Sequence, residues 1–171
     1  MKRIITLTLF FMALTTHLSA QDADEKYATE LLKQGVAAPD FTLKTADGKT
    51  FSMSSLRGKY IVLDFWATWC PDCRKDVPEM KRLHQAYASD KVAFVGVSFD
   101  TDATAWRTFV TQNKMDWTHV SELKKMKETA IAKTYGVKWI PSVYIIDPDG
   151  KVLLGTVMIE KVGKTLESIH E

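Results

Sequence analysis

Hydrophobic and polar positions divide the chain into short apolar runs and longer segments with helical spacing. Residues 60–66 and 92–99 are almost wholly apolar and rich in β-branched and aromatic types, which predicts strands buried on both faces of a sheet. Residues 142–146 predict a third strand. A tight turn over 147–150 then leads into a returning strand over 151–158.

Helical spacing fills most of the remaining chain. Apolar residues recur at three- and four-residue intervals over 74–88, where Pro78 interrupts the pattern and predicts a kink. Further helices are predicted over 103–113, 122–135 and 160–170. Strands that alternate with helices predict an α/β fold, in which helices flank a mixed central sheet.

The first 20 residues have the pattern of a signal peptide. Lys2 and Arg3 precede an apolar stretch over 4–14, and Leu18-Ser19-Ala20 offers a small residue before a cut. The stretch is shorter than the ~20 apolar residues that a membrane-spanning helix needs. We therefore expect a periplasmic or otherwise exported protein, cleaved near Ala20. A buried or membrane-anchoring N-terminal helix is the alternative.

The remaining chain predicts one domain preceded by a short extension. Residues 21–35 are expected to form a helical extension, with amphipathic spacing over 22–34. Residues 36–171 are expected to form a single domain. It opens with a hairpin, whose strands over 41–45 and 49–53 flank an Asp-Gly turn.

Composition and charge exclude several classes of protein. The chain is 46% hydrophobic and 26% charged, which is ordinary for a globular domain. Its two cysteines cannot form a scaffold of structural disulfides. Without Lys2 and Arg3, the 23 basic residues fall to 21 and equal the acidic ones. Nothing in this balance predicts a nucleic-acid partner.

The two cysteines lie at the predicted junction of a buried strand and a helix. Cys70 and Cys73 are separated by Pro71 and Asp72, and Pro71 suits the first helical turn. Unpaired N–H groups and the positive dipole end at a helix N-terminus stabilise a thiolate, which is the form that attacks disulfides. We therefore predict that Cys70 is the exposed attacking thiol and Cys73 the buried resolving thiol.

The segment DFWATWCPDC over 64–73 resembles the active-site segment of thioredoxins. Four other motifs resemble the TlpA/ResA-like branch of that superfamily, and they occupy residues 38–43, 47–49, 56–59 and 147–151. The resemblance covers about residues 36–158. It implies a thioredoxin-like fold with an N-terminal β-hairpin and a central insert, and a thiol–disulfide oxidoreductase that needs no cofactor.

The resemblance implies roles for individual residues. Cys70 matches the nucleophile and Cys73 the resolving cysteine of a redox-active disulfide. Pro141 matches the cis-proline that faces the two cysteines, and Ile140 then offers backbone groups to an extended substrate. Asp64 matches the buried acid of thioredoxins, which accepts the proton of the resolving cysteine.

Four residues around the cysteines are further candidates. Trp69 is expected to present a flat surface on which a substrate docks. Pro71, Asp72 and Asp76 are expected to tune the redox pair, and Asp76 matches an acidic position of the branch. The alternative for the two aspartates is that they are ordinary acids of a first helical turn, which the dipole favours.

Other kinds of site are disfavoured. Leu63 and Ala67 stand where the peroxiredoxin motif requires proline and threonine. His84, His119 and His170 are isolated among polar residues, so we expect them at the surface and predict no metal site.

We therefore expect disulfide exchange with disulfide-bearing exported proteins, as a reductant or isomerase supplied with electrons by a membrane donor. One alternative is a copper-binding chaperone, in which Cys70 and Cys73 are soft ligands. The other is a redox-inert interaction domain.

Overall fold

The computed structural model describes residues 22–170, in which seven strands form one mixed sheet. The strands are β1 (Thr42–Thr45), β2 (Thr50–Ser52), β3 (Tyr60–Trp66), β4 (Val92–Ser98), β5 (Thr118–Ser121), β6 (Ser142–Ile146) and β7 (Val152–Thr156). Their order is β2-β1-β5-β4-β3-β6-β7, with β3 parallel to β4 and antiparallel to β6. The predicted signal peptide over 1–20 lies outside the described residues.

Helices cover both faces of this sheet. They are α1 (Ala23–Tyr27), α2 (Pro71–Tyr87), α3 (Ala103–Gln112), α4 (Ala130–Thr134) and α5 (Ile159–His170). Leu83 of α2 and Leu166 of α5 pack with Val62 of β3, and six of the seven residues of β3 are buried. The predicted doubly covered central strand and mixed sheet are therefore confirmed. No helix within 22–170 has the length and apolar character to cross a bilayer.

The predicted helix over 22–34 is wrong beyond Tyr27. The chain instead runs along the domain, and its backbone donors bond to other elements. Leu32 N donates to the hydroxyl of Tyr144 at 2.8 Å, and Gly35 N donates to the carbonyl of Val152 at 2.8 Å. The apolar residues of this segment pack against the edge of the sheet and do not form one face of a longer helix.

The predicted helix over 122–135 is confirmed only for α4 and is wrong for the residues before it. The strand β5, which the sequence did not predict, ends directly before this segment, and a 3₁₀ turn over Met126–Glu128 then precedes the short α4. Leu123 has a left-handed φ of 53°, which interrupts any helix there. Thr129 then caps α4 by accepting from Ala132 N at 3.3 Å.

His119 is buried in β5, which corrects its predicted surface position. The residue is 4% exposed, and its ring lies against the rings of Trp66 and Trp117, with centroids 5.6 and 5.1 Å away. Gly96 of β4 makes room for it, since a Cβ there would lie 2.5 Å from the imidazole. Burial lowers the pKa of His119 to about 3, so the ring is neutral.

Candidate active site

A disulfide joins Cys70 and Cys73 at the start of α2. Cys70 is the N-cap residue, Pro71 occupies the first turn, and Cys73 N donates to Cys70 Sγ at 3.1 Å. The positive end of the helix dipole is therefore directed at the sulfur of Cys70. The two cysteines meet at the strand–helix junction where the sequence placed them.

Cys70 is less accessible than the sequence predicted. Cys70 and Cys73 are each 4% exposed in the disulfide. The sulfur of Cys70 lies 3.7 Å from the carbonyl oxygen of Ile140, itself a buried residue, so the disulfide packs against that loop. Trp69, by contrast, is 59% exposed and forms the most prominent apolar surface beside the disulfide.

The loop before β6 faces the disulfide because of strand pairing. Ser142, the first residue of β6, pairs with Phe65 near the end of β3, so Ile140 and Pro141 lie beside Cys70. The Ile140–Pro141 peptide bond is cis. Ser142 Oγ donates to the carbonyl of Trp139 at 2.7 Å and fixes the turn.

Asp64 lies beneath the disulfide in the middle of β3. The residue is 8% exposed, and with Cys73 and Pro141 it lines a cavity of ≈10 Å³. That volume is about what one water molecule occupies, and the cavity has polar groups to bind it. Burial, and then the charge of Asp76, raise the pKa of Asp64 to about 8. The carboxyl is therefore mostly protonated at neutral pH.

Asp76 lines the same cavity from the next turn of α2. Burial raises its pKa to about 6, and the charges of Glu160 and Asp72 act in the same direction against an opposing Lys75. Asp72 itself is exposed, and its carboxylate accepts from Lys75 Nζ at 3.0 Å. Of the two candidate tuning acids, Asp76 is the one that shares a cavity with Cys73.

Asp100 supports the site and was not among the residues predicted from the sequence. It is 3% exposed and accepts hydrogen bonds from Thr68 N at 3.1 Å and Ser98 Oγ at 2.6 Å. The hydroxyl of Thr68 donates to it as well. These bonds fix the turn that carries Trp69 and Cys70. The signal available in the sequence was the position of Asp100 directly after an apolar strand.

The N-terminal extension forms one wall of the site. Tyr27 stacks on Trp139 with ring centroids 4.3 Å apart. Asp24 accepts from Val157 N at 2.7 Å, and Lys161 Nζ donates to Asp22 and Asp24 at 2.6 Å each. The extension is thereby tied to α5 and to the loop between β7 and α5, next to the loop that carries Pro141.

Comparisons with known proteins agree on family and chemistry. The profile described as the AhpC/TSA family matches residues 34–154. A relative named thiol-disulfide oxidoreductase ResA, from Bacillus thuringiensis subsp. konkukian, is 33% identical over 124 residues, which are 72% of this chain and 69% of the relative.

Solved structures give the same result. A thiol-disulfide oxidoreductase from Bacteroides fragilis superposes with a TM-score of 0.73 at 29% identity, over 78% of this chain and 99% of that one. The thioredoxin domain of a thiol-disulfide oxidoreductase from Bacteroides vulgatus gives 0.73 at 27% identity, over 81% and 98%. The chain belongs to the AhpC/TSA family and is a thiol–disulfide oxidoreductase with a thioredoxin-like fold.

Proposed function

We propose that the chain is an exported reductant or isomerase, which exchanges its Cys70–Cys73 dithiol with the disulfides of exported proteins. The observation that carries this proposal is the redox pair at a helix N-terminus with two carboxyl groups of raised pKa in the cavity behind it. Export rests on the signal-peptide pattern over 1–20. A membrane-bound donor of electrons is the matching supply, since exported thiols meet oxidising conditions.

The exchange consists of two substitutions at sulfur. The thiolate of Cys70 attacks one sulfur of a partner disulfide, forms a mixed disulfide and displaces one partner thiolate. The thiolate of Cys73 then attacks Cys70 Sγ, closes the intramolecular disulfide and displaces the second partner thiolate. Two electrons pass to the partner, whose two sulfurs each take up a proton.

Docking precedes the first substitution. Trp69 offers an exposed apolar surface on one side of Cys70, and the backbone of Ile140 lies on the other. An extended partner segment laid along Ile140 and Pro141 brings its disulfide to the sulfur of Cys70.

Asp64 takes the proton that Cys73 must lose before the second substitution. Its carboxylate form accepts this proton through one water in the cavity of ≈10 Å³. A pKa of about 8 keeps the group close to the ordinary pKa of a thiol, which suits proton exchange in both directions. Asp64 is in this sense the base for Cys73 in reduction and the acid in the reverse reaction.

The charges around the sulfurs support electron flow from this protein to its partner. Strong oxidants stabilise the thiolate of their reduced pair heavily. Here the helix dipole stabilises the thiolate, whereas Asp76, half-buried behind Cys73, opposes it when ionised. The reduced pair is therefore only moderately stabilised, which favours a reductant.

The reduction potential of the Cys70–Cys73 pair tests this proposal. Titration of the folded protein in dithiothreitol buffers, read by alkylation and mass, should give a value nearer the ~−270 mV of thioredoxin than the ~−120 mV of a strong oxidant. A Cys70→Ser variant is the control, since it forms no internal disulfide at any potential. A value above about −180 mV would exclude the reductant role.

A copper carrier is the second candidate, because reduced Cys70 and Cys73 would place two soft ligands side by side. Within residues 22–170, no three His, Cys, Asp or Glu side chains gather into a metal-binding group. Anaerobic titration of the reduced protein with Cu(I) against a competing chelator separates the candidates. Tight one-to-one binding, lost in Cys73→Ser, together with no exchange of protein disulfides, would favour the carrier.

A further inference from the structure

Two open grooves flank Cys70 at the same edge of the sheet. Cys70 follows β3, which lies between β4 and β6 in the sheet. The first groove, of ≈470 Å³, adjoins the segment after β4. The second, of ≈330 Å³, adjoins the loops before β6 and after β7. A partner segment that crosses Cys70 therefore has one end over each groove.

The first groove is apolar at its base and positive at its rim. Trp69, Phe99 and Met126 form the apolar part. Lys125 and Lys127 stand at the rim, exposed, and neither forms an ion pair within residues 22–170. The remaining charged and polar lining residues are Glu128 and Thr101.

The rim of this groove keeps a net charge of +1. Glu122 and Lys124, just outside the lining, form an ion pair at 3.5 Å and cancel each other. Of the charges that line the groove, the two lysines outnumber Glu128 by one. A bulky apolar side chain flanked by a carboxylate is the complementary ligand.

The second groove is negative. Asp72, Asp76 and Glu160 line it, and Lys75 is the single basic residue among its lining. Lys75 pairs with Asp72 at 3.0 Å and cancels its charge, so Glu160 and ionised Asp76 give the groove a net charge of −2. Trp139 and Tyr27 supply a stacked aromatic wall on the far side. A lysine or arginine side chain, with its long apolar stem and cationic end, is the complementary ligand here.

We propose that the two grooves select and orient the partner through this charge asymmetry. The occupant is an extended segment of a protein, with its reactive cysteine in the middle. It carries a bulky apolar residue and a carboxylate on the side of Lys125 and Lys127, and a basic residue on the side of Asp76 and Glu160. A segment laid the other way round opposes like charges at both ends, which is unfavourable. The inference rests on the proposed function, because only a partner in disulfide exchange lies across both grooves.

The test uses peptides of identical composition and opposite order. Each has one cysteine, held as a mixed disulfide with the coloured thiol thionitrobenzoate. One peptide carries leucine and two glutamates before the cysteine and two lysines after it; the other carries the same residues in reversed order. The reduced full chain attacks the peptide sulfur, bonds it to Cys70 and releases the coloured thiolate, whose initial rate of release is measured.

At low salt we expect the wild type to react roughly fivefold faster with the peptide order that places the glutamates over the first groove and the lysines over the second. The ratio of the two rates should fall as salt is added. The double variant Lys125→Glu with Lys127→Glu should reduce the ratio to about one or invert it. The matched control is Lys91→Glu with Lys151→Glu, which makes the same change of charge at exposed positions by the opposite end of the strands. It should keep the wild-type ratio.

Equal rates for the two orders in the wild type would overturn the inference, as would a preference that survives in the Lys125→Glu, Lys127→Glu variant. Reduction of insulin disulfides by the wild type is measured in parallel. If insulin is reduced while the peptides show no preference, the inference fails and the proposed function stands. If neither insulin nor peptides react, the proposed function fails with it.

Discussion

Asp64 and Asp76 share one water-sized cavity, and the charge of Asp76 helps to raise the pKa of Asp64 to about 8. The larger cause is burial, since Asp64 lies in the central strand. The two carboxyl groups come from different elements, β3 and α2, and they meet because α2 begins directly after β3. The position that we propose for proton transfer is thus costly for the folded state whenever Asp64 is ionised.

The first prediction is that Asp64→Asn stabilises the oxidised protein at alkaline pH. A pKa raised from 3.8 to about 8 means that the folded state holds this proton more tightly than the unfolded state. The associated stability is complete below about pH 4 and is lost as pH rises through 8. At about pH 9 the variant should be more stable than the wild type by on the order of 3 kcal/mol.

Urea unfolding of both proteins between pH 5 and 9 measures this difference. Asp72→Asn is the control, because Asp72 is exposed and its removal leaves the cavity intact. Its stability curve should run parallel to that of the wild type. Parallel curves for Asp64→Asn as well would mean that the carboxyl of Asp64 has no raised pKa.

The second prediction concerns the resolving step. Asp64→Asn removes the proton acceptor for Cys73, so breakdown of a preformed mixed disulfide on Cys70 should slow by about tenfold or more at pH 7. Above the ordinary thiol pKa of about 8.5, Cys73 loses its proton to solvent and the difference should shrink. Stopped-flow release of the second partner thiol measures the step. An equal rate in the two proteins at pH 7 would contradict the role.

The third prediction separates the two sulfurs. Cys73→Ser should accumulate stable mixed disulfides between Cys70 and partner proteins, because the second substitution has no nucleophile. Cys70→Ser is the matched control, and it should accumulate few, because Cys73 lies behind the helix turn with Asp64 and the cavity. Non-reducing gels and mass spectrometry of the trapped species measure both. Preferential trapping by Cys70→Ser would reverse the assignment.

Patterns over a few neighbouring residues correctly predicted those elements whose structure depends on residues nearby in sequence. The apolar run over 60–66 coincides with β3, and the strand over 142–146 coincides with β6. The placement of Cys70 and Cys73 followed from a strand that leads straight into a helix. These features depend on neighbours in sequence, so one chain suffices to predict them.

Two wrong predictions and one missed residue depend on distant contacts. The residues around Leu32 dock on Tyr144 instead of extending α1. His119 is buried because Gly96, on the neighbouring strand, leaves space for its ring. The supporting bonds of Asp100 to Thr68 join positions 32 residues apart. The spacing of residues along the chain predicts none of these contacts.

The last prediction concerns Asp76 and the direction of electron flow. At pH 7 Asp76, with a pKa of about 6, is mostly ionised, and its charge opposes the thiolate form of the reduced pair. Asp76→Asn should therefore increase the thiolate fraction at pH 7, and Cys70 should be alkylated roughly twofold faster at limiting reagent. A twofold gain in thiolate stabilises the reduced form and raises the reduction potential by on the order of 10 mV.

The pH dependence of the alkylation rate tests the role of Asp76 most directly. Below about pH 5 Asp76 is protonated in the wild type, so the two proteins should then react at the same rate, corrected for the common fall in thiolate. Asp72→Asn is the matched control: it removes the same charge from an exposed position already paired with Lys75, and screening should leave its rate near that of the wild type. An equal gain in both variants would place the effect in the overall charge of α2. No gain in either would remove Asp76 from the residues that set the potential.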